Sequence, residues 1–280
     1  MKNFEFERWD HGRLVVNCAS ADILRSSGFT TFDSLMHFEG GTVAKNLLRQ
    51  RTTTRIELPN RESREAFYIK RHGPSPWKEY LKPLLRMTRP ILGARHEWEA
   101  MIRFHKLGIP TMIPVALGES RRDSFVVTKS IEGCSKLSHW MQTYWQRTER
   151  ADIHKTRQLI EDVARIARTM HSAGLHHQDF YLTHLLMPQG DAQPGLHNDQ
   201  PGIYVIDLGR VCCRKRLAWR WIVKDLAQLN YSADLVTHSD RQRFLKAYLG
   251  RPLRSEDRKF VRRILRKSEA IARHSRKHRL

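Results

Sequence analysis

The chain is poor in cysteine, short of acidic residues and without any long apolar run. Its four cysteines, at positions 18, 134, 212 and 213, show no C-x-x-C spacing. The adjacent pair Cys212 and Cys213 is a poor candidate for a disulfide, so a reducing compartment is expected and a structural zinc site is not. No stretch approaches the ~18 apolar residues of a membrane span, and the opening "MKNFEFERWDHGRL" carries acids where a signal peptide needs an apolar run. A cytoplasmic location with at most peripheral membrane contact is therefore expected. Internal repeats, low-complexity tracts, zinc-finger spacing and an aromatic K/R-G-F-G-F strand are all missing, so specific nucleic-acid recognition is not expected.

What is present is a globular composition with a strong positive bias. With 280 residues and 40% hydrophobic content, the chain can bury a substantial core, as one two-lobed domain or two small ones. Lys and Arg number 50 against 29 Asp and Glu, a formal +21, which favours anionic partners without choosing among them.

The first third reads as short strands: "TTTRIEL", a polar turn "PNRESRE" and "AFYIKRH" have the pattern of a hairpin. The proline-rich, basic "GPSPWKEYLKPLLRMTRP" reads as a surface insertion. A helix over "ARHEWEAMIRFHKLG" places Ala94, Trp98, Met101 and Phe104 on one stripe. At about 100° per residue Glu97 falls within that stripe and Glu99 on the opposite face. A carboxylate there needs a partner, because burying it alone costs several kcal/mol, and the strand end offers Lys70. "SFVVTKSIEG" reads as a buried strand. A strong amphipathic helix follows from about Lys155 to Ser172, capped by Gly174.

Directly after comes "HHQDFYLTHLL", with three histidines and one aspartate in eleven positions. A Gly- and Pro-rich loop "PQGDAQPGLHNDQPG" leads to "IYVIDLGRV", a strand ending in Asp207-Leu208-Gly209. On the helix "WRWIVKDLAQL", Asp225 sits in phase with Ile222, Leu226 and Leu229, on the apolar face. From Arg251 onward 12 Lys and Arg face 3 Asp and Glu, while Phe260, Val261, Ile264, Leu265 and Ile271 keep helical spacing. This basic amphipathic helix either docks on the rest of the protein with its charges solvated or approaches anionic lipid headgroups.

Lys70, Glu97, His177-x-Asp179, His184 and Asp207-x-Gly209 follow the order found in protein-kinase-like enzymes, with H-Q-D for H-R-D, a histidine for the asparagine, and D-L-G for D-F-G. More narrowly, "HQDFYLTHLL", in its H-x-D-x-Y-x-x-H form, resembles the lipopolysaccharide kinase family, which includes core heptose kinases and Kdo kinases. "ILGARHEWEAM", "GIPTMIPVALGE" and "WIVKDLAQLNYS" carry the resemblance too, which runs from about residue 40 to about 270. It implies an α+β, protein-kinase-like two-lobed fold, with a β-rich nucleotide-binding lobe over residues 1–130 and a helical catalytic lobe over 131–280.

It also implies an ATP- and Mg²⁺-dependent kinase. The acceptor would be a lipopolysaccharide core glycolipid, through a heptose in preference to Kdo, reached at the inner membrane surface. Asp179 would be the catalytic base and Asp207 the Mg²⁺ ligand. Lys70, fixed by Glu97, would hold the α and β phosphates. His184 either binds the metal or hydrogen-bonds Asp179 or a phosphate oxygen. His177 would pin its loop to the Asp207 strand, and Asp225 would support the same loop by accepting backbone N–H groups. Gly40 and Gly41, in "FEGGTVAKNLL", would cover the nucleotide, although G-x-G-x-x-G is missing. The rivals are another small-molecule or protein kinase on this fold, or a silent kinase-like binding module. His176 and residues 1–35 receive no role.

Overall fold

The structure, a computed structural model, describes residues 3–48, 51–60, 63–74, 93–144, 150–189 and 202–278. Most of the basic insertion after His72 and of the Gly/Pro-rich loop after Pro188 lies outside the described residues. The chain divides into two compact units, Met1–Glu132 and Gly133–Leu280.

The first unit is built on a seven-stranded antiparallel sheet. Its strands are β1 (Phe6–Trp9), β2 (Leu14–Asn17), β3 (Thr42–Leu48), β4 (Arg51–Asn60), β5 (Ser63–His72), β6 (Pro114–Glu119) and β7 (Ser124–Lys129), in the order β1-β2-β6-β7-β5-β4-β3. The polar turn expected over "PNRESRE" is largely absorbed into strands. Pairing continues to Asn60 opposite Ser63, since the cross-strand register of this hairpin outweighs weak local propensity.

Of residues 1–35, those described acquire a structural role here. β1 and β2 extend the sheet beside β6, while the short helices α1 (Ala21–Ser26) and α2 (Phe32–Met36) bury Leu24, Phe32 and Leu35 against Ile56, Phe67, Ile69, Phe125 and Val127. The helix α3 (Arg95–Lys106) packs against β6 and β7 and buries Glu97, Trp98, Ala100, Met101, Phe104 and His105.

The second unit combines two small sheets with long helices. β8 (Cys134–Lys136), β10 (Leu185–Pro188) and β11 (Tyr204–Val205) form one sheet, and β9 (Leu175–His176) pairs with β12 (Cys212–Cys213) in the other. After α4 (Leu137–Tyr144), α5 (Arg150–Ser172) packs on α7 (His238–Leu249), and α6 (Trp219–Ser232) packs on α8 (Arg258–His278).

The basic C-terminal segment is α8, and it docks on α6 through the i, i+4, i+8 stripe Phe260, Ile264 and Ser268. Leu265, assigned to this apolar face by spacing, is 44% exposed because it lies about 100° away from Ile264 around the helix. No described helix is long and apolar enough to cross a membrane.

Candidate active site

In the first unit, Lys70 stands on β5 level with Thr53 of β4 and Val126 of β7, on the strand face opposite Ile69. Its Nζ lies 2.8 Å from Glu97 Oε2 and 3.1 Å from Oε1. The Glu97 side chain is 5% exposed and that of Lys70 30%, so the carboxylate is committed to this ammonium while the ammonium keeps a solvent-facing side. Gly41 enters β3 at φ +100°, and a Cβ there would sit 2.4 Å from the Arg55 carbonyl oxygen, so glycine is required by the backbone itself. At Gly40 a Cβ would strike the Phe38 ring. Local packing thus accounts for both glycines without a ligand.

In the second unit, the loop after β9 is held from one stripe of α6. Asp225, fully buried, accepts from His177 N at 2.6 Å and Gln178 N at 2.9 Å, and His171 Nε2 lies 3.3 Å away. Burial by itself would raise the pKa of this carboxyl. The His171 hydrogen bond and charge, with the His177 ring and N–H, more than offset that and hold it below the usual range. Gln228 donates to Gln178 O and accepts from Phe180 N, and the Ser232 hydroxyl accepts from Leu182 N. Residues 225, 228 and 232 share one helix face, which explains how a single helix secures the loop from His177 to Leu182. Gln178 is left-handed, at φ +70°, a conformation this clamp over-determines.

His177 is fully buried and neutral: burial pushes its pKa down, Nε2 donates to Ile206 O at 3.1 Å, and Nδ1 accepts from Asp179 N at 3.3 Å. It ties the Asp179 loop to the residue before Asp207. His176, equally buried, lies 3.3 Å through Nδ1 from Cys212 O and packs edge-on against Trp221.

The strand expected to end in Asp207-Leu208-Gly209 is β-paired only at Tyr204–Val205. Asp207 is left-handed (φ 58°, ψ 57°) and opens a 3-10 turn over Leu208–Arg210. Aspartate tolerates this conformation better than most residues, and the turn leaves its side chain 43% exposed.

His184 joins the two aspartates. Its Nδ1 donates to the Asp179 backbone carbonyl at 2.7 Å, which in the neutral ring leaves Nε2 with a lone pair, 3.7 Å from Asp207 Oδ2. Two Lewis bases facing each other at that separation suit a cation, and the Asp207 oxygens are the hard donors that Mg²⁺ prefers. Among the described residues no group of three or more His, Cys, Asp or Glu gathers for a metal.

Two residues that the sequence reading missed complete the site. Arg210 Nη1 donates to both oxygens of Asp179, at 3.0 and 3.1 Å, and the Arg210 carbonyl accepts from Gln178 Nε2 at 2.8 Å. No spacing rule links positions 31 or 32 residues apart. The only sequence signal was that a charged residue closes "DLGR".

Residues 42–248 match the model of the Lipopolysaccharide kinase (Kdo/WaaP) family, a span that includes every aspartate and histidine described above. This chain belongs to that family. The lipopolysaccharide kinase fold extends to its solved relatives: a structure of WaaP in complex with acyl carrier protein superposes with a TM-score of 0.69 at 31% identity, over 92% of this chain and 98% of that one. Among curated proteins, the lipopolysaccharide core heptose(I) kinase WaaP of Pseudomonas aeruginosa is 37% identical over 220 residues, covering 74% of this chain and 76% of its own length. The enzyme of the same name from Escherichia coli is 34% identical over 216 residues, covering 74% and 77%. The α+β, protein-kinase-like fold and the phosphotransferase class both follow from this membership.

Proposed function

We propose that this lipopolysaccharide kinase transfers the γ-phosphoryl group of ATP to a hydroxyl of an inner-core heptose, at the cytoplasmic face of the inner membrane. The observation that carries the reading is the rigid linkage of Asp179 to Asp207 through His184 and His177, which fixes a base and a metal-ligating carboxylate relative to each other. Phosphoryl transfer asks the protein mainly for positioning and charge stabilisation.

Asp179 accepts the proton of the attacking hydroxyl as its oxygen bonds to the γ-phosphorus and the bond to the ADP oxygen breaks. Asp207, with the His184 Nε2 lone pair beside it, would hold Mg²⁺, whose chemistry when bound is to neutralise phosphate charge. Lys70, with Glu97 fixing its ammonium, holds the α and β phosphates. His177 and Asp225 keep the Asp179 backbone in place. The choice of heptose rests on the similarity to the two WaaP enzymes, and the membrane surface on the basic, solvated face of α8 together with a net charge of +21.

The test is transfer of labelled γ-phosphate to purified core glycolipid by the parent and by Asp179→Ala. A loss of about 10²- to 10⁴-fold in the variant is expected. Undiminished transfer would remove Asp179 from the mechanism, and transfer to Kdo with none to heptose would overturn the choice of acceptor.

A further inference from the structure

The carboxylate that accepts the proton carries a cation of its own. Arg210 Nη1 lies 3.0 and 3.1 Å from the two oxygens of Asp179. The backbone of Arg210 is fixed from both sides: Gln178 Nε2 donates to its carbonyl at 2.8 Å, and Val211 N closes the turn on Leu208 O at 3.0 Å. Its side chain is 58% exposed, and Nε and Nη2 have no hydrogen bond or ion pair among the described residues. The arginine thus has a fixed root, one nitrogen on the base and two nitrogens uncommitted.

As a stabilising contact an exposed ion pair counts for little, because it is screened and costs side-chain entropy. The position of this one is what matters. An acceptor hydroxyl sits about 2.6–3.2 Å from the Asp179 oxygen that takes its proton, and the phosphorus it attacks lies about 3–3.5 Å further on. The transferring phosphoryl group, its charge spread over three outer oxygens, is therefore brought within about 7 Å of a carboxylate that is still anionic. Two anions at that distance repel, and a cation shared between them offsets the repulsion where it arises.

Arg210 suits that place chemically. Each carboxylate oxygen has two lone pairs, so one nitrogen lying across both leaves Asp179 able to accept the hydroxyl proton. The guanidinium stays protonated throughout, and its planar fork has further N–H groups for a phosphoryl oxygen. It also closes the 3-10 turn that Asp207 opens, so a single turn carries both the carboxylate suited to Mg²⁺ and the guanidinium on the base.

We propose that Arg210 is a further catalytic residue of the phosphoryl transfer: with one nitrogen on Asp179, its uncommitted N–H groups bind an oxygen of the γ-phosphoryl group as it passes to the acceptor. This rests on the kinase reading above. The contact favours the transition state over either bound substrate, because base, acceptor oxygen and phosphoryl group come together only then.

The experiment uses the full chain with Mg-ATP and purified core glycolipid, and compares the parent with Arg210→Gln, Arg210→Ala and Arg210→Lys. Arg210→Gln should lower kcat by about 10²- to 10³-fold while the KM values for ATP and glycolipid stay within about three-fold. Arg210→Lys, which keeps the charge without the fork, should lie between parent and glutamine. Ethylguanidinium should raise the kcat of Arg210→Ala, and ethylammonium at the same ionic strength should not. Inhibition by ADP with aluminium fluoride, a stand-in for the phosphoryl group in flight, should weaken at least about ten-fold in Arg210→Gln. A residue acting only on the Asp179 carboxylate would leave that inhibition unchanged.

All three variants should unfold within about 4 °C of the parent, as expected where an exposed pair is lost. A kcat of Arg210→Gln at or above the parent's, a loss confined to KM, equal inhibition of parent and variant, no rescue specific to ethylguanidinium, or rate losses that follow lowered unfolding temperatures would overturn the role of Arg210 while leaving the kinase reading intact. Absence of transfer to glycolipid by the parent would overturn both.

Discussion

Replacing Asp225 by alanine should unfasten the Asp179 loop, and the size of the effect follows from what the carboxylate holds. It accepts His177 N at 2.6 Å and Gln178 N at 2.9 Å from a site with no solvent access, and the second of these residues sits in a left-handed conformation. Stranding two buried N–H donors costs about 1–3 kcal/mol each. Freeing Gln178 to relax returns part of that, so a net destabilisation of about 3 kcal/mol is expected. For a unit of this size that lowers the unfolding temperature by roughly 6–12 °C. Asp225→Asn retains one acceptor oxygen and turns an amide donor toward the other N–H, so it should lie between parent and alanine. The carboxyl's depressed pKa means its contribution is complete above about pH 4 and is lost as pH falls further. Calorimetry of the three proteins at pH 7, with transfer assays alongside, provides the measurement. An alanine variant melting within a degree of the parent with unchanged kcat would refute the clamp.

Three further outcomes follow from other parts of the molecule. Lys70→Met should lower kcat/KM for ATP by at least about a hundred-fold. Because it also strands the buried Glu97 carboxylate, adding Glu97→Gln should restore stability without restoring activity, as denaturant titration and kinetics on both variants will report. Gly41→Ala should cost about 2 kcal/mol in urea unfolding, since its Cβ meets the Arg55 carbonyl at 2.4 Å at a φ of +100°. His176 is pushed down to about 4 by burial, so the unfolded chain binds its proton first and stability falls as pH drops from about 6.5 toward 4, by up to about 1.4 kcal/mol per pH unit. The slope of unfolding temperature against pH should flatten in His176→Asn, and an unchanged slope would count against this residue as the source.

Residues whose role is written in local periodicity were legible in the chain. Helical phase put Glu97 and Asp225 on apolar faces, and a buried carboxylate must find partners: Glu97 is ion-paired with Lys70, and Asp225 takes backbone N–H groups. The same phase placed Phe260 and Ile264 inward and erred at Leu265, because a stripe has an edge and spacing does not say where it falls. Gln228 and Ser232 were available on the Asp225 face but carry no charge, so nothing forced the question of what they bind.

The sequence by itself determined the chemistry on hand: one base candidate in H-Q-D, one candidate metal ligand in the aspartate of D-L-G, a lysine ending an apolar strand, and an excess of positive charge. Tertiary structure alone decided which groups meet. It set Arg210 on Asp179, aimed the free Nε2 of His184 at Asp207, and gave α1 and α2 a sheet face to cover. Periodicity reports only the neighbours of a residue along its own helix or strand. A hydrogen bond between positions 31 apart depends instead on how β9 and β12 pair and on the left-handed turn at Asp207, which packing and strain fix only once the chain has closed on itself.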